Sequence, residues 1–231
     1  VFGLFNKGIT DANRTSILQG FADELELKSA VPTAFDGVPR LNNQKATYYY
    51  FKNNREEGDI ERLWETFICA LNYAKFPTES TKSAFVSIYN KVLKQKGVRW
   101  NITMGLFWIR PYHFMNLDAC NQKFLAHVMD DVFKAFGELK RVLQGEDYIN
   151  LINEVKERIK NNDEYKTFPE FSYTAWCLSG DNGWLLTWNP KYFAWENFSN
   201  IAIQTQNGTA FTDRWSCLSA QPKLGDRVYL A

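Results

Sequence analysis

Apolar residues recur at helical spacing through about the first 160 positions, and this periodicity constrains the fold more than any other feature of the sequence. The clearest helix follows Asp59, a residue type that caps helix N-termini. Its apolar positions follow the i, i+3, i+4, i+7 pattern of an amphipathic helix: Ile60, Leu63, Trp64, Phe67, Ile68 and Leu71. Similar patterns predict helices at 10–27, 85–97, 121–136 and 148–159, the first with Ile17, Leu18, Phe21 and Leu25 on one face. Two short extended segments, 47–51 and 106–109, predict a small sheet among these helices.

The pattern changes after Asn161. Turn-forming residues at 161–163 and 180–183 bound a segment that is typical of a connector. Beyond it, short apolar runs at 184–188, 201–203 and 227–230 are separated by turn residues and predict strands. We therefore predict an α+β protein with a helical N-terminal domain at 1–162, a connector at 163–182 and a strand-rich region at 183–231. Because the chain begins at Val1 and stops inside the last of these strands, we expect it to be a piece of a longer polypeptide.

Aromatic residues make up 16% of the chain and form two sets. Those at helical spacing in the first half are predicted to lie in the core: Trp64, Phe67, Phe85 and Tyr89. The second set crowds the strand-rich region around Asn189: Trp184, Trp188, Tyr192, Phe193, Trp195 and Trp215. Composition favours a small core for this set, although tryptophan is seldom fully buried and several rings could line a concave surface. Aromatic walls beside an amide can hold an unstacked base, so the base-binding candidates are Trp184, Trp188, Asn189, Trp195 and Trp215.

Positive charge is concentrated locally although the formal net charge of the chain is only +1. From Lys82 to Arg110 the sequence holds six basic residues and no acid. Such a strip can hold phosphates even on a nearly neutral molecule, which makes five of these residues phosphate-binding candidates: Lys91, Lys94, Lys96, Arg99 and Arg110. An ordinary solvated helix face explains the same strip equally well.

The sequence holds no recognisable catalytic or metal-binding motif. It lacks a GxxxxGK[ST] phosphate loop and a GxSxG nucleophile motif, and its four cysteines and two histidines have no zinc-site spacing. Three Glu-x-Lys triplets fall in helical patterns, where residues two apart diverge, so they do not form a nuclease site. We therefore expect this segment to have no catalytic activity and to bind no metal ion or cofactor. The longest apolar stretch is far shorter than the roughly 18 residues of a membrane helix, and cysteines without a disulfide framework favour the cytoplasm.

Several motifs resemble the N-terminal region of AAA+ restriction proteins of the McrB type. They are FDGVPRLNNQK at 35–45, the positions Asp59, Ile60, Leu63 and Trp64, GVRWNITMGLFWIRP at 97–111, NLD at 116–118 and PEFSYTAW at 169–176. The segment 184–230, with WNP at 188–190, Trp215 and GDRVYL at 225–230, is similar to the opening half of an EVE/PUA-like β-barrel, a domain that reads modified bases.

The resemblance implies a DNA-recognition region of a modification-dependent restriction system in phage defence. Its partial barrel at 183–231 would take a modified cytosine out of double-stranded DNA, while the basic strip holds backbone phosphates. The resemblance also implies a C-terminal AAA+ motor outside this chain, which would hydrolyse GTP or ATP with Mg²⁺, form homo-oligomers and recruit a nuclease subunit. The alternative hypothesis is a protein-interaction module that assembles the same complex without reading bases.

Overall fold

The computed structural model of the protein describes residues 4–42, 47–179, 184–186, 197–207 and 228–230. The chain divides into two compact units, Val1–Leu178 and Ser179–Ala231. The first unit is built mainly of helices: α1 Asp11–Glu24, α2 Asp59–Lys75, α3 Glu79–Val92, α4 Asn101–Ile109, α5 Ala119–Val128, α6 Asp130–Ala135, α7 Gly145–Ile159 and α8 Phe168–Ser179. Two 3₁₀ turns lie at Lys52–Asn54 and Gly137–Leu139. The second unit contains the strand β1 Trp184–Leu186, the helix α9 Phe198–Gln206 and the strand β2 Val228–Leu230.

Short polar side chains start several of these helices by accepting bonds from backbone N–H groups that have no partner inside the helix. The Thr10 side chain accepts from Asn13 N at α1, and the Asp118 side chain accepts from Asn121 N at α5. At α3, Thr78 and Thr81 form a reciprocal capping box. The caps place the helix starts where the sequence has Thr and Asp.

A cluster of stacked aromatic rings forms the centre of the first unit's core. The rings of Tyr89 on α3 and Tyr148 on α7 are parallel within 1°, with centroids 5.5 Å apart. Phe85 and Phe114 pack beside them with centroids 5.4 Å apart. All four residues are fully buried, and burial raises the pKa of the Tyr148 hydroxyl, which donates to Met115 O at 2.8 Å. The prediction that Phe85 and Tyr89 lie in the core is confirmed.

A buried serine fastens α8 to the rest of the first unit. Ser172 Oγ donates to Gly37 O at 2.7 Å and accepts from the side-chain amides of Asn116 and Asn121 at 3.2 Å each. Gly37 adopts a φ of +75°, and a Cβ there would lie 2.6 Å from Tyr173 Cα. The loop at Gly37 therefore runs against the backbone of α8, which only glycine permits.

A buried arginine organises the N-terminal segment. Arg14 has no exposed surface. Its guanidinium donates to Leu4 O at 2.8 Å and to Ile9 O at 3.0 Å, and it pairs with Asp11. The planar fork of five N–H donors suits this role because it bonds several carbonyls at once.

The apolar face predicted for 10–27 does not point into the core. On α1 the buried residues are Arg14 and Ala22, whereas Ile17 is 42%, Phe21 48% and Leu25 64% exposed. The helix is held by the polar contacts of Arg14 instead of by its apolar side chains. A periodicity argument cannot detect this because it assumes that the apolar side of a helix is the buried side.

The α+β fold class predicted from the sequence is wrong, because helices dominate the described residues and no barrel is present among them. Segment 106–109 lies inside α4, and segment 47–51 is an irregular loop that leads into the Lys52–Asn54 turn. Within residues 4–42 and 47–179, the only β-type pairing is an isolated bridge between Asn6 and Leu41. Helix α4 was missed because it is buried on most sides, so its run of apolar residues has no helical period.

The described part of the second unit also differs from a barrel. Residues 201–203, predicted as a strand, belong to α9. The strands β1 and β2 pair in parallel, with Trp184 opposite Val228 and Leu186 opposite Leu230. Two strands of three residues each cannot close a barrel. Short apolar runs carry too little periodicity to separate a strand from a helix, which explains the error.

We expect Ser172→Ala to lower the free energy of unfolding by about 2–3 kcal/mol, because it leaves Gly37 O without its donor and two buried amides without their acceptor. Urea denaturation of the variant measures the loss. Ser87→Ala on the exposed side of α3 is the matched control and should change stability by less than about 0.5 kcal/mol. Equal stability of the two variants would contradict the role assigned to Ser172.

The start of α8 should make stability depend on pH through Glu170. Its carboxylate accepts from the backbone N–H groups of Lys166 at 2.8 Å and Thr167 at 3.0 Å, and these bonds, the first above all, hold its pKa below the ordinary value. The stabilisation is complete above about pH 4.3, the unfolded pKa, and is lost as pH falls through the lower folded pKa. We expect Glu170→Gln to lower Tm by a few degrees at pH 7 and to match the wild type at pH 2. Thermal melts across this range test the prediction, and a Tm difference that does not shrink on acidification would refute it.

Candidate nucleic-acid interface

Two of the predicted phosphate-binding residues line one surface groove of the first unit. The groove has a volume of about 720 Å³ and lies along the loop that joins α3 to α4. Lys96 and Arg99 contribute cationic side chains, and Tyr50 and Trp100 contribute aromatic ones. The walls also include Thr47 and the start of α5.

A tight turn in the α3–α4 loop separates Lys96 from Arg99. Val98 N donates to Gln95 O at 3.2 Å across the turn, and Gly97 adopts a φ of +96°. A Cβ at Gly97 would lie 2.9 Å from both Thr47 O and a ring carbon of Tyr50. The turn thus requires glycine for its conformation and for its approach to the neighbouring loop. Helix α3 ends at Val92, so Gly97 is not the C-terminal cap expected at that position.

Asn101 locks this loop in place. Its Nδ2 donates to Thr47 O and to Gly97 O, both at 3.1 Å, and its Oδ1 accepts from Arg99 N at 2.6 Å. Tyr48 Oη donates to Asn101 O at 2.8 Å, and burial raises the pKa of this phenol. These four hydrogen bonds hold the backbone that carries Lys96 and Arg99, which limits the entropy lost when a ligand binds.

The charged side chains that line the groove are Lys96, Arg99 and Asp118. Both cations are exposed, and Lys96 Nζ lies 4.8 Å from the centroid of the Tyr50 ring. Asp118 is engaged as the N-cap of α5, accepting from Asn121 N at 2.9 Å and from its side-chain amide at 3.0 Å. The groove therefore suits a ligand in which a negatively charged group is attached to a flat apolar group.

Gln95 connects the groove to α2. It is 7% exposed, and its Nε2 donates to Asp59 O at 3.2 Å. Within the part of the chain that the structure describes, its Oε1 has no hydrogen-bond partner. Gln95 therefore leaves one buried acceptor among the groove-lining residues.

The structure places the other predicted cations elsewhere. Lys91 and Lys94 are exposed near the end of α3 and do not line the groove. Arg110 ends α4, about 13 Å of helix from its start. Its Nη1 donates to Ile109 O at 2.7 Å, and it lies near His113, whose pKa is lowered first by burial and then by Lys156 and Arg110. The linear strip from Lys82 to Arg110 is therefore not one surface.

The base-binding candidates Trp188, Asn189, Trp195 and Trp215 lie outside the described residues. For Trp184 the structure gives the backbone, in β1, and no side-chain environment.

Sequence reasoning missed the residues that shape the groove, namely Tyr50, Trp100 and Asn101. The available signal was Gly97 between two cations, because a glycine that follows a helix marks a turn and a close backbone approach. The pairing of this turn with residue 47, some fifty positions away, has no signal in a single sequence.

Among the described residues, no group of three or more His, Cys, Asp or Glu side chains could hold a metal ion. None of the helices among them has the length and apolar character needed to cross a membrane.

Comparison with protein families gives one match that covers most of the chain. Residues 1–178 match the family described as domain of unknown function (DUF8425). The chain belongs to the DUF8425 family. The DUF8425 match ends at the same residue as the first compact unit, Val1–Leu178, so the DUF8425 domain includes α8 and the Ser172 contacts. Searches of curated proteins and of solved structures found no match.

We expect Gly97→Ala to destabilise the DUF8425 domain by about 2–3 kcal/mol, because the new methyl group meets Thr47 O and Tyr50 at a φ that L-residues rarely adopt. Gly20→Ala is the matched control, since a Cβ there has nothing within 4 Å and the position is inside α1. The control should stabilise by about 0.5–1 kcal/mol. Urea denaturation distinguishes the two, and destabilisation by both would show that the turn is not the cause.

Proposed function

We propose that the DUF8425 domain binds DNA through its phosphate backbone, as the DNA-recognition region of a modification-dependent restriction protein. The observation that carries the proposal is the groove lined by Lys96, Arg99, Tyr50 and Trp100. Both cations lie on a loop that hydrogen bonds from Asn101 hold in place. Cations bind phosphates with a salt-dependent affinity that does not depend on sequence. The motif at 97–111, which carries the resemblance to McrB-type proteins, includes both Arg99 and Asn101.

Geometry and charge both support a phosphate ligand. Lys96 and Arg99 are exposed and have no ion-pair partner among the described residues, so a phosphate displaces water and counterions only. Arginine can bind a phosphate in a bidentate manner, while Lys96 acts as a compact charge next to an aromatic ring. Selectivity for a modified cytosine would come from residues other than these two, because backbone contacts carry no sequence information.

The wider assembly follows from the same resemblance. In the proposal, an AAA+ motor that uses GTP or ATP with Mg²⁺ and a nuclease subunit act with this domain in the cytoplasm, where invading DNA is found. The domain itself would supply DNA binding and no catalytic group.

The double variant Lys96→Glu with Arg99→Glu should weaken binding of a fluorescent duplex by at least about tenfold and reduce the slope of log K against log salt by about 2. Fluorescence anisotropy across a salt series measures both quantities. The matched control is Lys28→Glu with Lys156→Glu, which makes the same change of net charge at two exposed lysines outside the groove. Equal loss in the two double variants would refute the groove as the binding site.

A second comparison tests base recognition. The wild-type chain is titrated with methylated, hydroxymethylated and unmodified duplexes of one sequence. Tighter binding of a modified duplex supports the restriction role, whereas equal affinity for all three refutes modification reading and leaves backbone binding intact.

A further inference from the structure

Helix α2 presents large apolar side chains to solvent. Trp64 is 63% exposed and Ile68 is 54% exposed. The residues that α2 buries are Asp59, Thr66, Ala70 and Ala74, most of them small, and this side packs on α3. At 100° per residue, the apolar stripe that follows Asp59 is rotated by about a quarter of a turn from the buried side. The prediction that Trp64 lies in the core is therefore wrong.

An apolar groove adjoins this exposed side. It has a volume of about 370 Å³ and lies between α2 and α4, with Leu63, Trp64 and Phe67 from one helix and Ile109 from the other. The Trp64 and Phe67 rings meet edge to face with centroids 5.8 Å apart. Exposed apolar surface of this kind marks an interaction site.

The charges on the exposed side identify the partner. Glu61, Ile68 and Lys75 are spaced by seven residues, which is about two helical turns. They therefore lie on one face of α2, with Glu61 two turns before Ile68 and Lys75 two turns after it. Glu61 and Lys75 are both exposed, and neither forms an ion pair with another described residue. Each lies about 10.5 Å along the helix from Ile68, in opposite directions.

This arrangement is self-complementary. When two α2 helices cross antiparallel about a two-fold axis at Ile68, Glu61 of each copy faces Lys75 of the other, and Trp64 and Ile68 are buried between them. A parallel pair would set like charges against each other. DNA does not fit this face because Glu61 and Glu65 repel phosphates.

We propose that α2 is a homodimer interface, in which a second copy of this chain packs antiparallel on the face formed by Glu61, Trp64, Ile68 and Lys75. Dimerisation places two phosphate-binding grooves in one particle. It also keeps the exposed indole of Trp64 out of water.

Sedimentation velocity of the whole 231-residue chain tests the proposal. The wild type should dimerise reversibly below about 100 μM. Glu61→Lys and Lys75→Glu should each raise the dimer Kd by about tenfold, because each turns two opposite-charge contacts into like-charge contacts. The double variant Glu61→Lys with Lys75→Glu should recover the wild-type Kd within about twofold.

Mixing the two single variants separates a lost interface from a folding defect. In an equimolar mixture of Glu61→Lys and Lys75→Glu, every charge contact is again between opposite charges, so a heterodimer should form at wild-type affinity. Glu24→Lys on α1 makes the same charge change away from α2 and should leave the Kd unchanged. A wild-type chain that is monomeric at about 100 μM, or single variants that dimerise as the wild type does, would overturn the proposal and assign the α2 face to a different occupant.

Discussion

The buried hydroxyl of Ser172 is the contact on which the arrangement of the first unit depends. It joins the loop at Gly37, the segment at Asn116, the first turn of α5 and the helix α8, which are separated by up to 135 positions in sequence. A buried polar group keeps its partners because each one left unsatisfied is costly, so the bonds around Ser172 specify one packing of these segments. These bonds are the physical reason that α8 packs against the loop at Gly37 and the start of α5.

The candidate interface depends on a second set of hydrogen bonds, which are partly buried. Asn101 ties the α3–α4 loop to Thr47, and Gly97 lets the two backbones approach. Neither Asn101 nor Gly97 carries a charge, so uncharged residues set the conformation of the loop that holds Lys96 and Arg99. A cation held on a braced loop binds with a smaller loss of conformational entropy than one on a free loop.

The outer side of α2 shows how a helix can satisfy a periodic pattern and still leave part of it exposed. The small residues Ala70 and Ala74 are buried, while the larger Trp64 and Ile68 are exposed to solvent. A domain that binds DNA on one surface and pairs with its own copy on another would combine two weak interfaces into a bivalent particle.

Periodicity and local chemistry by themselves determined the positions of several helices. The stripe after Asp59 and the aromatic spacing around Phe85 and Tyr89 predicted α2 and α3, because the i, i+4 geometry of a helix is a local property. The tertiary structure decided which side of each helix is buried. On α1, Arg14 is buried and Phe21 is exposed. Residues 106–109 are helical, and their apolar run has no amphipathic period because the helix is buried on most sides. Of the five phosphate-binding candidates, Lys96 and Arg99 line the same groove. These outcomes depend on contacts between residues far apart in sequence, and local patterns in a single sequence do not reveal such contacts.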